Sequence, residues 1–308
     1  MRVGPTEVAA AADRLAGRVR LTPVIDADVN GVAVALKLEL LQHTGSFKPR
    51  GAFNRVLSET TSPRRLVAAS GGNHGLAVAH VARELGVEAT IYVPETTPSV
   101  KRRWIGALGA SLVVAGRHYQ EALEASREAA RGPGVVEVHA YDHPATVAGQ
   151  GTVARELDGQ VPHLDTVLVA VGGGGLIAGV CAWFDGRVRV VAVEPATAPT
   201  LARAREVGRP VDVDVGGVAA DSLGATRIGE TPFATMQGRL DRVVLVSDEG
   251  IVEAQRRLWA ELRLVAEPGG ATAFAALVGG AYRPAPGERV AVIVCGANTD
   301  PATVTDPP

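Results

Sequence analysis

Short, wholly apolar runs separated by helix-patterned segments recur along this chain, and that alternation limits its possible folds more than any other feature. Leu66-Val67-Ala68-Ala69 leads through Ser70-Gly71-Gly72-Asn73 into a helical pattern from His74 to Leu85 that stops at Gly86. Further strand candidates lie at Thr90 to Val93, Ser111 to Val114, Val135 to His139, Thr166 to Val171, Val188 to Val193, Val243 to Val246 and Val290 to Val294. Runs that do not alternate with polar residues belong to parallel strands covered on both faces. Strand and helix in alternation predict a doubly wound α/β architecture. Nearer the start, Thr6 is placed to cap a helix to about Arg18, a strand follows near Val32 to Leu38, and a helix begins around Lys48. No linker or repeat interrupts the chain, so any second domain is a split lobe without a tether. The end, Asp300 to Pro308, reads as a fraying tail.

Charge narrows the partners. The 308 residues carry 31 Lys plus Arg against 33 Asp plus Glu, a formal net charge of −2, which argues against nucleic acid or an anionic membrane surface. Aromatics make up only 4% of the chain, so the core is built from Ala, Val and Leu. Cys181 and Cys295 stand far apart in no metal-ligand spacing, which fits reduced thiols in the cytoplasm. No apolar run is long enough to span a membrane.

Four segments can carry chemistry. In Gly45-Ser46-Phe47-Lys48-Pro49-Arg50-Gly51-Ala52, Pro49 places Lys48 where a loop enters a helix. The positive end of the helix dipole there disfavours a charged amine, and a neutral amine is what Schiff-base chemistry needs. An exposed lysine at a helix start would read the same. In Ser70-Gly71-Gly72-Asn73-His74-Gly75 the backbone N–H groups of a strand-to-helix junction suit a carboxylate or phosphate, although an ordinary turn has the same pattern. Val171-Gly172-Gly173-Gly174-Gly175-Leu176 offers four bare N–H groups before a helix, a phosphate cradle. Cys295-Gly296-Ala297-Asn298 ends an apolar strand, where open α/β sheets bind ligands; a lone buried thiol is the plainer reading.

The glycine run also opens a rival reading. Gly173-x-Gly175-x-x-Ala178 meets the relaxed dinucleotide fingerprint, and Glu194 lies where a ribose-binding acid is expected, as in a nicotinamide-dependent oxidoreductase.

Taken in order, the four segments resemble the threonine/serine dehydratase and serine racemase family, pyridoxal-phosphate enzymes of fold type II, the tryptophan synthase β-like fold. Val147-Ala148-Gly149-Gln150-Gly151-Thr152, Val193-Glu194-Pro195 and Ala266-Glu267-Pro268 extend the resemblance over nearly the whole chain. It implies mostly parallel twisted sheets covered by helices in two lobes: residues 1–65 and 143–308 form the large one, 66–142 the small one. It implies that Lys48 carries the cofactor as a Schiff base, Phe47 packs on its ring, Asn73 bonds its phenolic oxygen and the stretch Gly172, Gly173, Gly174, Gly175, Leu176 holds its phosphate. Cys295 would face the pyridine nitrogen, and Ser70, Gly71, Gly72, Asn73 and His74 would hold the substrate carboxylate. The implied reaction is β-elimination of threonine or serine to a 2-oxo acid and ammonia by a cytoplasmic homodimer. Racemases of the family place a serine at the position of Gly71, which disfavours but leaves open an amino acid racemase; a 3-hydroxyaspartate dehydratase is a further alternative. A divalent or monovalent cation at Glu194 is left undecided, because the carboxylate that usually accompanies it is missing from Pro195-Ala196-Thr197-Ala198-Pro199-Thr200.

Overall fold

The computed structural model of the chain describes residues 1–305, and it sorts the apolar runs into two sheets. The larger sheet contains β1 (Val24–Val29), β2 (Val32–Lys37), β7 (Thr166–Ala170), β8 (Arg189–Pro195), β9 (Leu240–Val246) and β10 (Val290–Ile293), in the spatial order β1-β2-β10-β7-β8-β9. The smaller contains β3 (Arg65–Ala69), β4 (Glu88–Val93), β5 (Ser111–Val114) and β6 (Val135–Glu137), in the order β5-β4-β3-β6. Every pairing is parallel except that of β1 with β2. The central strands β7 and β10 are buried at every residue, as their composition requires. No helix among the described residues is long and apolar enough to cross a membrane.

β1 is an element that a search for wholly apolar runs passes over. It is an edge strand in which Asp26 and Asp28 are exposed while the other residues are partly or fully buried, so Val24-Ile25-Asp26-Ala27-Asp28-Val29 is not wholly apolar. Its signal is the turn that follows: Asn30 and Gly31 both take positive φ, 55° and 82°, the two-residue hairpin turn that Asn-Gly favours. The first helix is Pro5–Leu15, with Gly4 at its cap and Pro5 at its first position, rather than a Thr6-capped helix to Arg18. β6 stops at Glu137, two residues before His139, although the Val138 N–H still donates to the Val67 carbonyl at 2.9 Å; the chain bends at Ala140 and Tyr141. The expected fraying tail is partly ordered: Ala302–Thr305 is a short helix that buries Val304, and residues 306–308 lie outside the described residues.

Two features fix the helix that begins with Lys48. Glycines let helices approach closely: a Cβ on Gly149 would lie 2.5 Å from the carbonyl oxygen of Arg50, and one on Gly179 would lie 2.4 Å from the nitrogen of Gly151. The motif around Gly149 and Gly151 thus packs the Pro144–Gln160 helix against both the Lys48–Leu57 and Gly175–Phe184 helices. Beneath this contact lies a buried charge network. Arg50 reaches Glu39 at 2.7 and 2.8 Å and Glu156 at 2.7 and 2.8 Å, while Lys37 reaches Glu156, Gln160 and the Thr22 carbonyl, each at 2.8 Å. Burying any one of these charges alone would cost several kcal/mol, and their mutual pairing offsets that cost.

Candidate active site

A cleft of about 740 Å3 opens at the carboxyl ends of β3 and β7, and Lys48, the turn from Ser70 to His74, Tyr141, Gly173 and Asp221 are among the residues that line it. Lys48 is the first residue of its helix, with Pro49 second, as the sequence requires. The segment before it is stitched to the end of β10: Ser46 bridges Gly296, and the Phe47 N–H donates to the Cys295 carbonyl at 3.2 Å. The Lys48 amine donates to the Ala140 carbonyl at 3.1 Å and lies 5.2 Å from the centre of the Phe47 ring. Withdrawal from water disfavours its charged form and lowers its pKa to about 8.

After β3 the chain turns through Ser70, whose hydroxyl accepts the Gly72 N–H at 3.2 Å, and enters the Asn73–Leu85 helix. The Asn73 side chain is gripped from two sides. Its oxygen accepts from Asn298 at 2.6 Å and its nitrogen donates to Glu267 at 2.5 Å, which leaves one amide hydrogen for a ligand. His74 donates from Nε2 to the Val138 carbonyl at 2.6 Å, and burial pushes its pKa down to about 3, so the ring is neutral. This turn therefore offers an anion backbone N–H groups rather than a charge. A Cβ on Gly71 would lie 2.5 Å from the Thr97 methyl carbon.

The glycine run follows β7 and opens the Gly175–Phe184 helix, with Gly174 at φ +89°. Side chains are excluded there. A Cβ on Gly173 would lie 2.3 Å from the Tyr141 ring, one on Gly175 would lie 2.9 Å from the Tyr141 Cβ, and one on Gly172 would lie 3.0 Å from the Leu223 Cα. Leu176 sends its own side chain into the core, so it too has only backbone to offer. The first N–H groups of a helix have no partner within it, so they are available to an acceptor from outside.

Cys295 is buried, its thiol donates to the Gly269 carbonyl at 3.5 Å, and burial pushes its pKa up to about 12, so it is neutral. Buried Glu267 is raised to about 7 by the same loss of water. Glu194 stands elsewhere. Its two oxygens accept the N–H groups of Leu201 at 2.6 Å and Ala202 at 2.9 Å, at the start of the Thr200–Val207 helix. That engagement leaves the dinucleotide reading without its ribose-binding acid, and no group of three or more metal-ligating side chains occurs among the described residues.

Several residues of this site have contacts that no motif predicts. The motif Ala266-Glu267-Pro268 marks Glu267 without giving it a role, which is to grip Asn73. Lys101 and Asp221 form an ion pair from opposite sides of the cleft. Tyr141 backs the glycine run; its one sequence signal is an aromatic ring in a chain with very few.

The chemistry of these donors fits pyridoxal phosphate. A lysine amine of lowered pKa can condense with its aldehyde, side-chain-free N–H groups can take its phosphate, and a spare amide hydrogen on Asn73 and a neutral thiol remain for its ring. Comparison with known proteins agrees. Residues 15–296 match the family model of pyridoxal-phosphate dependent enzymes. The chain is 36% identical to an L-threonine ammonia-lyase of Geobacter sulfurreducens, covering 97% of this chain and 77% of that one. It is 38% identical to a phenylserine dehydratase of Ralstonia pickettii, covering 94% and 91%. Among solved structures, a threonine deaminase from T.th. superposes with a TM-score of 0.90 at 34% identity, covering 96% of this chain and 99% of that one. Maize serine racemase superposes with a TM-score of 0.92 at 29% identity, covering 98% and 96%. The chain belongs to the pyridoxal-phosphate dependent enzymes, with the fold of their type II members.

Proposed function

We propose that this protein is an ammonia-lyase for a small β-hydroxy amino acid, threonine and serine first, which it converts to a 2-oxo acid and ammonia. The observation that carries this reading is a buried amine of lowered pKa, Lys48, sharing a cleft with the turn from Ser70 to His74, whose residue 71 has no hydroxyl. The arrangement has a base to remove the α-proton, while residue 71 can return no proton to the other face of the substrate.

Pyridoxal phosphate, when bound, supplies an aldehyde that condenses with amines and a ring that spreads the negative charge left by a departing proton. In this reading Lys48 holds it, the N–H groups from Gly172 to Leu176 take its phosphate, Phe47 packs on its ring and the free amide hydrogen of Asn73 reaches its phenolic oxygen. Neutral Cys295 against the ring nitrogen does not stabilise a protonated pyridine, which weakens the electron sink and suits prompt loss of a β-leaving group. The N–H groups of the turn from Ser70 to His74 orient the substrate by its carboxylate. The Lys48 amine then takes the α-proton. Its lowered pKa leaves roughly a tenth of it neutral at pH 7, against well under a thousandth for an ordinary lysine. The division into two sheets supports a small lobe of residues 66–142 closing on a large lobe of 1–65 and 143–308. A homodimer in the cytoplasm completes the proposal, on the strength of the sequence resemblance.

The test is a panel of L-threonine, L-serine, 3-phenylserine and 3-hydroxyaspartate, with 2-oxo acid and D-amino acid both measured. Oxo acid should dominate, and Lys48→Ala should lower turnover by about 10²–10⁴-fold or more, the range for losing a general base. Dominant D-serine from L-serine would make the protein a racemase, and full turnover by Lys48→Ala would remove Lys48 from the mechanism.

A further inference from the structure

Between β6 and the Pro144–Gln160 helix, residues 139–143 form a tight turn that touches three parts of the site. The Ala140 carbonyl accepts from the Lys48 amine at 3.1 Å. Tyr141 fills the space that side chains at Gly173 and Gly175 would need, the first with its ring and the second with its Cβ and backbone. The Asp142 carboxylate accepts the N–H groups of Glu230 at 3.1 Å and Thr231 at 2.9 Å, at the start of the Glu230–Met236 helix.

No strand ladder shapes this turn. The N–H groups of Tyr141 and Asp142 instead converge on one atom, Nδ1 of His139, at 3.3 and 2.9 Å. An atom that accepts two N–H groups carries no proton of its own, so the ring is the neutral tautomer protonated on Nε2. The ring also stands edge-on to Tyr141, with centres 4.8 Å apart and an interplanar angle of 84°. The His139 carbonyl accepts the Thr146 hydroxyl at 3.3 Å, which ties the start of the turn to the next helix.

We infer that His139 is a positioning residue for the cofactor site: its Nδ1 gathers the Tyr141 and Asp142 N–H groups and so sets the turn that holds both the Lys48 amine and the wall of the glycine cradle. The inference rests on the reading of Lys48 as the cofactor lysine. It assigns His139 a role through Ala140 and Tyr141; because His139 also lines the cleft, direct contact with a ligand through Nε2 is the competing role.

Two substitutions separate these roles. An Asn side chain places its oxygen close to where Nδ1 lies and can accept the same turn N–H groups, as Asn does in side-chain-capped turns. A Gln side chain reaches about as far as Nε2. His139→Asn and His139→Gln are prepared free of cofactor, their thermal midpoints are measured, and each is titrated with pyridoxal phosphate by protein fluorescence and absorbance. Lys48 attachment is checked by borohydride reduction and mass analysis. His139→Asn should bind within about threefold of wild type and His139→Gln about tenfold more weakly, the loss expected when buried N–H groups lose their acceptor. The cofactor-free midpoints should stay close to wild type. Binding restored by Gln and not by Asn overturns the inference in favour of a ligand contact by Nε2. Equal behaviour of the two variants overturns it, as does weak binding that merely follows a collapsed midpoint. Wild type that fails to take pyridoxal phosphate on Lys48 overturns both the inference and the reading beneath it.

Discussion

Substituting Gly173 by Ala tests the glycine cradle at the point where the structure makes a numerical demand. The added Cβ would lie 2.3 to 2.4 Å from three carbons of the Tyr141 ring. Ordinary carbon contacts are about 3.5–4.0 Å, so the ring must retreat by roughly an ångström or more. It stands edge-on to His139 on one side, its hydroxyl donates to the Arg227 carbonyl at 3.4 Å, and it lines the cleft. In the cofactor-free protein the ring is expected to yield toward the cleft that it lines. If the cofactor binds at the glycine run as proposed, it would compete for that space, and an overpacking cost of about 1–3 kcal/mol would fall on the bound state alone. The dissociation constant for pyridoxal phosphate should therefore rise by about 5- to 150-fold. The cofactor-free protein should be as stable as wild type or slightly more so, because alanine restricts the unfolded chain. The assay is a binding titration paired with a thermal melt, and Tyr141→Ala in the Gly173→Ala background should recover most of the lost affinity. Gly173→Ala that binds like wild type, or a loss that removing the Tyr141 ring does not relieve, refutes the reasoning.

Four further outcomes follow from the geometry. Because burial favours the neutral amine of Lys48, its rate of condensation with pyridoxal phosphate should rise with pH and level off above about 8; a midpoint near the ordinary lysine value of about 10.4 would contradict the site's desolvation. The same shift means that folding stability rises with pH between the folded and unfolded values, since the unfolded chain holds the proton longer. Arg50→Met leaves Glu39 and Glu156 without their shared partner and should cost about 3–5 kcal/mol in urea unfolding, with part of the loss spared by the partial exposure of Glu156; a change below about 1 kcal/mol would mean the network relaxes. Gly71→Ser places its Cβ against Thr97 and should impair substrate binding, whereas Gly71→Ser with Thr97→Ala makes room for the hydroxyl and should raise the yield of D-serine from L-serine; chiral chromatography of the products decides.

The features legible in the sequence share one property, which is that their physics is local. Wholly apolar runs announce buried parallel strands, Pro49 announces where a helix starts, and four glycines after a strand announce a backbone surface without side chains. The edge strand β1 was obscured because one of its faces is in water and its residues are mixed. Glu194 shows the opposite failure, since a position that fits a ribose-binding acid is occupied by a carboxylate serving the next helix.

By itself, then, the sequence determined the alternation of strand and helix, the placing of Lys48 at a helix start and the bare turns at the strand ends, and through the ordered motifs the family. Only the tertiary structure decided what surrounds those groups. Asn73 is gripped by Glu267 and Asn298 from 194 and 225 residues away, and the Ala140 carbonyl meets Lys48 across 92 residues. The spacing of such partners along the chain carries no trace of their contact, because it arises from how two sheets and their helices pack. The lowered pKa of Lys48 has the same origin: water is excluded by parts of the chain that meet only when it folds.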